Sequence, residues 1–181
     1  MIKPHLTPRQ LQRSMQAAAA CDAALSDEDW LRTFFYEAHW QDGVAMAKFD
    51  NGSGDHVFVF FTDDGMAVMK GFDHESEISP HAREVYAVWP GLYHGLPARL
   101  MQLLQDESVE HEDVTFCFWS SNGETWQAGQ AEFAEGMQDG SNWLLPMLQM
   151  DAEEFIAWAQ TNYEDDFEQL GAAGVRKIFA Q

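Results

Sequence analysis

Residues 51–65 carry the pattern that most limits what this chain can fold into. Asn51-Gly52-Ser53-Gly54 and Asp63-Asp64-Gly65 are turn sequences, and between them runs Val57-Phe58-Val59-Phe60-Phe61, dense in β-branched and aromatic residues. Turns this tight leave no room for a crossover helix, so the run must pair antiparallel with its neighbours. Before it, Val44, Met46 and Lys48 alternate with Ala45, Ala47 and Phe49; after it comes Met66 to Phe72. Residues 44–72 therefore read as a three-stranded meander whose apolar middle strand is covered on both faces.

Helix signals flank the meander. Thr7-Pro8 pairs a capping hydroxyl with proline at the first helical position, and Leu11, Met15, Ala18, Ala19 and Leu25 give an apolar stripe over residues 8–24. Ser26 opens a second expected helix: Asp27, Glu28 and Asp29 suit its first turn, and Trp30, Leu31, Phe34, Phe35 and Ala38 follow at helical spacing. Ser79-Pro80 repeats the start signal and predicts a helix to Trp89, ended by Pro90-Gly91. Another helix is predicted from Leu96 through Gln105. Val114 to Ser120 and Thr125 to Phe133 read as two strands joined at Asn122-Gly123. Asp151 caps a further helix containing Phe155, Ile156, Trp158 and Ala159, and a short one over about 173–180 closes the chain.

The expected fold is α+β: one antiparallel sheet of about five strands, a meander plus a hairpin, with helices packed on it and helices at both ends. A hydrophobic content of 46% is enough to fill a core. A chain this long is expected to bury roughly 70% of its unfolded surface. No repeat or low-complexity linker divides residues 1–181, which predicts a single domain: a helical part over 1–43, the sheet with inserted helices over 44–133, and a helical part over 134–181.

Charge limits the partners. The net charge is −20, and between Arg99 and Arg176 there is no Lys or Arg against 16 Asp and Glu. Such a surface repels phosphate backbones and anionic lipid, which argues against nucleic acid and membrane surfaces as partners. It attracts a basic protein. No apolar stretch is long enough to span a bilayer, and the residues before Ala17–Cys21 are too polar for a signal sequence, so a cytoplasmic location is expected. Cys21 and Cys117 fit no disulfide or metal pattern, and Cys117 sits in an apolar run. No Walker A or GxGxxG pattern occurs, and no cofactor is predicted.

Two constellations could carry chemistry. Asp73-His74-Glu75-Ser76-Glu77 with His81 lies between a strand end and a helix start. His74, Glu75, Glu77 and His81 are candidate ligands for zinc or a related metal, and Glu75 with Glu77 could be an acid–base pair in a small hydrolase-type enzyme. The plainer account is a solvated loop with Ser79 as a cap. The second constellation is aromatic: Trp89, Tyr93 and His94 in the Trp89–Pro97 loop, and Trp119 and Trp126 flanking a hairpin turn, are candidate binding residues. Their plainer account is core and cross-strand packing. No catalytic set is recognisable, so the favoured function is an acidic binding module for a basic protein, with an enzyme or a ligand-free structural protein as alternatives.

The phrases Lys70–Ser76, Trp89-Pro90-Gly91, Thr115–Trp119 and Asp139-Gly140-Ser141 resemble a set found in uncharacterised bacterial proteins, over about residues 44–160. That resemblance implies no activity and no functional residues. In size and acidity alone the chain is similar to bacterial immunity proteins, which would imply a toxin or nuclease as the basic partner.

Overall fold

The computed structural model describes residues 1–181, apart from the side chain of Asp165. Its strands are β1 (Phe34–Gln41), β2 (Val44–Asp50), β3 (His56–Thr62), β4 (Ala67–Phe72), β5 (Phe116–Ser120) and β6 (Gln127–Ala128). Each is antiparallel to the next, in the order β1-β2-β3-β4-β5-β6. The helices are α1 (Pro8–Leu25), α2 (Ala98–Leu104), α3 (Ser141–Leu148), α4 (Ala152–Tyr163) and α5 (Phe167–Phe179). The fold is α+β as expected, with six strands rather than five.

The additional strand is β1, where a helix was expected from Ser26, so the helical part predicted over 1–43 ends at Leu25. Helical spacing of Trp30, Leu31, Phe34, Phe35 and Ala38 competes here with a stronger local preference. Phe34-Phe35-Tyr36 favours a pleated strand, and Asp42-Gly43 supplies a hairpin turn in which Gly43 takes φ +68°. Ser26 caps only a turn, its hydroxyl accepting the Glu28 N–H, and a single 3-10 turn over Asp29–Leu31 follows.

The helix expected over 80–89 is likewise reduced to a 3-10 turn at Pro80–Ala82. Beyond it Arg83 donates to the carbonyls of Ala87 and Val88, satisfying them outside any helix. The strand expected over 125–133 shortens to β6 because Gly129 leaves the sheet to lie against the Gly91–Leu92 backbone. A Cβ there would stand 2.1 Å from the Gly91 carbonyl oxygen.

The sheet separates two layers. On one face α1 and α3 to α5 bury Leu11, Met15, Leu144, Leu148 and Phe155 against Phe49, Val59, Phe116 and Phe118. On the other, residues 73–115 pack Ile78, Leu92, Leu100, Leu104 and Val109 onto Phe60, Val68, Cys117 and Trp119. This second layer is mostly irregular, with α2 its only α-helix. β3 is buried at every position, as its composition predicts. Gly71 is required for packing: a Cβ there would sit 2.0 Å from Cζ of Phe116. Among the described residues no helix is long and apolar enough to cross a membrane.

α1, β1 and α4 are tied together by Asp22, which is fully buried. Its Oδ2 accepts the N–H groups of Thr33 and Phe34, both at 2.7 Å, and its Oδ1 accepts the Tyr163 hydroxyl. Burial raises the carboxyl pKa, and these donors oppose the shift. Asp22→Ala strands one buried donor and two half-buried ones, so urea unfolding is expected to show a loss of about 3 kcal/mol.

Candidate functional site

The sheet end defined by His56 and Phe72 gathers the charged loops. Asn51 accepts the N–H groups of Ser53 and Asp55 through Oδ1, closing the β2–β3 turn and fixing Asp55. Asp55 is buried and accepts four contacts at most: Asn51 Nδ2 at 2.6 Å, the His74 N–H at 2.9 Å and His74 Nδ1 at 2.7 Å are present. Burial alone would raise the Asp55 pKa, but the bonds from His74 and Asn51 outweigh it and hold the carboxyl below its usual range. The same bond raises the His74 pKa. Asp73 accepts the Glu75 N–H and Trp143 Nε1, both at 3.1 Å. Ligand atoms of Asp55, Asp73 and His74 lie within 4.8 Å of one another, beside an open cavity of about 340 Å³ that Glu75 and Glu77 also line.

Of the four residues predicted as metal ligands, His74 belongs to this cluster, Glu75 and Glu77 only line the cavity beside it, and His81 lies apart. Its Nε2 lies 2.8 Å from Asp113 Oδ1, which also accepts the Tyr86 hydroxyl at 2.9 Å. Asp55 and Asp73 complete the cluster instead. Asp55 escaped sequence reasoning because its approach to His74 is a tertiary contact; the only local sign was an Asn-Gly-Ser-Gly-Asp turn.

Asp113 ends a loop, residues 106–113, that holds five acidic side chains. A buried cation fastens this loop to the sheet. Lys70, fully buried at the centre of β4, donates from Nζ to the carbonyls of Val109 at 2.7 Å and Glu110 at 2.9 Å. Nζ also stands 3.0 Å from His56 Nε2 and 5.5 Å from the Phe58 ring centroid. Glu110 takes the left-handed conformation, φ +50°, uncommon for a non-glycine residue, and in it its carbonyl faces the ammonium. Burial pushes the Lys70 pKa down to about 7, opposed by Asp113 and Glu110. Burial, then the charges of Lys70 and Lys48, push His56 down to about 4, so at neutral pH its Nε2 is an acceptor for Lys70. A lone lysine in an apolar strand was visible in the sequence; its acceptors, some 40 positions away, were not.

The predicted aromatic residues do not share one surface. Trp119 and Trp126 are both buried, on opposite faces of the sheet. Trp119 Nε1 donates to Gln127 Oε1 and Trp126 Nε1 to the Leu6 carbonyl, so each indole is satisfied internally. Trp89 is half-buried, donating to the Glu132 carbonyl with the Arg83 guanidinium 5.5 Å above its ring. The Tyr93 hydroxyl donates to the His111 carbonyl, and burial raises its pKa, whereas His94 is exposed. Exposed apolar groups lie elsewhere: Val85 at 74%, Tyr86 at 47% and Trp30 at 77% exposure. Both thiols are buried, and burial raises the pKa of each, to about 12 for Cys21, which makes them poor nucleophiles.

No known protein family, curated protein or solved structure matches this chain.

The Lys70 site has a pH signature. The unfolded chain keeps the lysine proton up to about 10.5, whereas the folded chain releases it near 7. Between those values the unfolded state binds more protons, so folding stability from this group rises with pH. Urea unfolding of wild type and Lys70→Met across that window is expected to show the difference moving in favour of wild type as pH increases. A pH-independent difference would mean that Lys70 titrates normally.

Proposed function

We propose that this protein is an acidic, cytoplasmic binding module whose partner is a basic protein. The observation that carries the reading is the juxtaposition of the 106–113 loop with the exposed pair Val85 and Tyr86. The Tyr86–Asp113 bond holds the aromatic ring beside a loop bearing Asp106, Glu107, Glu110, Glu112 and Asp113. Protein interfaces combine an anchor of this kind, an aromatic ring with a polar tip, with a charged rim. The nearby cations are already committed: Arg83 to main-chain carbonyls and the Trp89 ring, Lys70 to the underside of the loop. A cationic surface would therefore meet carboxylates that Lys70 offsets only from the inner side of the loop. A toxin or nuclease with a basic active-site cleft fits this chemistry and is the partner that the resemblance in size and acidity to immunity proteins implies.

Capture of partners from the source lysate by the tagged full chain tests the reading. One basic protein is expected at near-equal stoichiometry, released as salt screens the charges. Glu110→Lys combined with Glu112→Lys, and separately Tyr86→Ala, are each expected to weaken its retention about tenfold or more. Retention insensitive to salt and to these variants would contradict the proposal.

The Asp55, Asp73 and His74 cluster supports a second reading, a divalent-metal site. The Asp55 carboxylate against His74 Nδ1 is an arrangement that orients an imidazole to ligate through its other nitrogen. Zinc is the natural probe. At a free concentration about a hundred times the dissociation constant it is expected to raise the melting temperature by about 5–10 °C. His74→Ala is expected to abolish the rise, and an unchanged melting temperature in wild type would remove this reading.

A further inference from the structure

β1 is an edge strand, and its unpaired side opens into a trough of about 650 Å³ between the sheet and α1. Hydrogen-bond parity shows which groups face that trough. Asp50 N–H donates to the Thr33 carbonyl, while Asn51 N–H donates to the Asp55 carbonyl and Asp63 N–H to that of Gly43. With the registers Phe35↔Lys48 and Glu37↔Met46, the odd-numbered residues of β1 face β2. Phe34 and Tyr36 therefore turn their main-chain groups outward. Asp22 takes the Phe34 N–H. Among the described residues, the Phe34 carbonyl and both main-chain groups of Tyr36 have no protein partner.

The walls suit an extended chain. Ala19, Ala20 and Ala23 of α1 form one side and leave room for branched side chains; Phe35, Trp40 and Met46 form the other. The unpaired charge in the trough lining is a carboxylate. Glu37 lines the trough, and Asp27, Glu28 and Asp29 precede the strand beside the exposed Trp30. Arg32, the cation lining it, is occupied by Asp29 Oδ1 at 2.5 Å and the Ser26 carbonyl at 2.9 Å. An irregularity between Glu37 and Gln41 limits regular pairing to the first half of β1, which restricts the edge to a short segment.

From these features we infer that the β1 edge is a docking site for an extended segment of another protein. The segment adds as a seventh strand, with small branched apolar side chains towards α1 and cationic ones towards Glu37. Backbone pairing to Phe34 and Tyr36 supplies the attachment, and the two walls select alternate side chains. This surface uses different residues from the acidic loop at 106–113 and does not depend on it.

The probe is an acetylated and amidated peptide of about six residues alternating valine and lysine, titrated into the isotope-labelled full chain. Expected are amide shifts centred on Tyr36 and methyl shifts at Ala19, Ala20 and Ala23. Ala20→Arg, a change at an exposed helical position, is expected to weaken binding about tenfold or more with the melting temperature unchanged. The same peptide N-methylated on its edge-facing amides is expected not to bind. Glu110→Lys with Glu112→Lys is expected to leave affinity unchanged, so this test stands apart from that of the acidic loop. Absence of shifts at β1, equal binding of the N-methylated peptide, or loss of binding in the loop variant would overturn the inference. Self-association through β1 in place of peptide binding would also overturn it and assign the edge to a second copy of the chain.

Discussion

Burying an ammonium group at the centre of a sheet is costly unless its protons find acceptors, and the acceptors that Lys70 finds are main-chain carbonyls of a segment with little regular structure. That exchange fixes the second layer. Residues 73–115 cover the sheet with only one α-helix and two 3-10 turns, so most of their own main-chain bonds close isolated turns and do not tie the segment to the sheet. Apolar burial of Ile78, Leu92, Leu100 and Val109 supplies attraction without direction. The Lys70 bonds add direction at one point, and Glu110 accepts an uncommon conformation to reach it. On the opposite face Asp22 has the corresponding role, a buried acid joining α1, β1 and α4 through main-chain and tyrosine donors.

These two buried charges place the surfaces from which function is inferred. Lys70 approaches the 106–113 loop from beneath, so its amine, when protonated, partly offsets the loop's five carboxylates from the inner side. Asp113 then orients His81 and Tyr86 over the loop. Asp22 ends the free edge of β1 by taking its first N–H, leaving the next main-chain groups open beside the alanines of α1. The acidity of the chain is thus arranged on a scaffold in which Arg32, Lys70, Arg83 and Arg99 are already occupied.

Much of this was legible in the sequence where the signal was local. The two turns around β3, the Thr7 and Asp151 caps and the apolar face of α2 rely on neighbours a few residues away, and each formed where expected. Residues 26–41 misled because Trp30, Leu31, Phe34 and Ala38 satisfy helical spacing while Asp42-Gly43 and pairing with β2 favour a strand. A helix over 80–89 failed because Arg83 satisfies the carbonyls of Ala87 and Val88 in an extended segment. At the candidate metal cluster His74 was legible, with Glu75 and Glu77 lining the cavity beside it, because the three are close in sequence. Asp55, Asp113 and the partners of Lys70 were not, because tertiary folding alone brings them together.

Amide hydrogen exchange of wild type and Lys70→Met, compared at one pH, tests most directly whether the buried lysine holds the irregular layer. Faster exchange is expected at Val109, Asp113 and Val114, whose N–H groups close the turns of the acidic loop, with Phe155 in the helical layer unchanged. Unchanged protection in the loop, or an equal loss of protection in both layers, would contradict that role for the lysine.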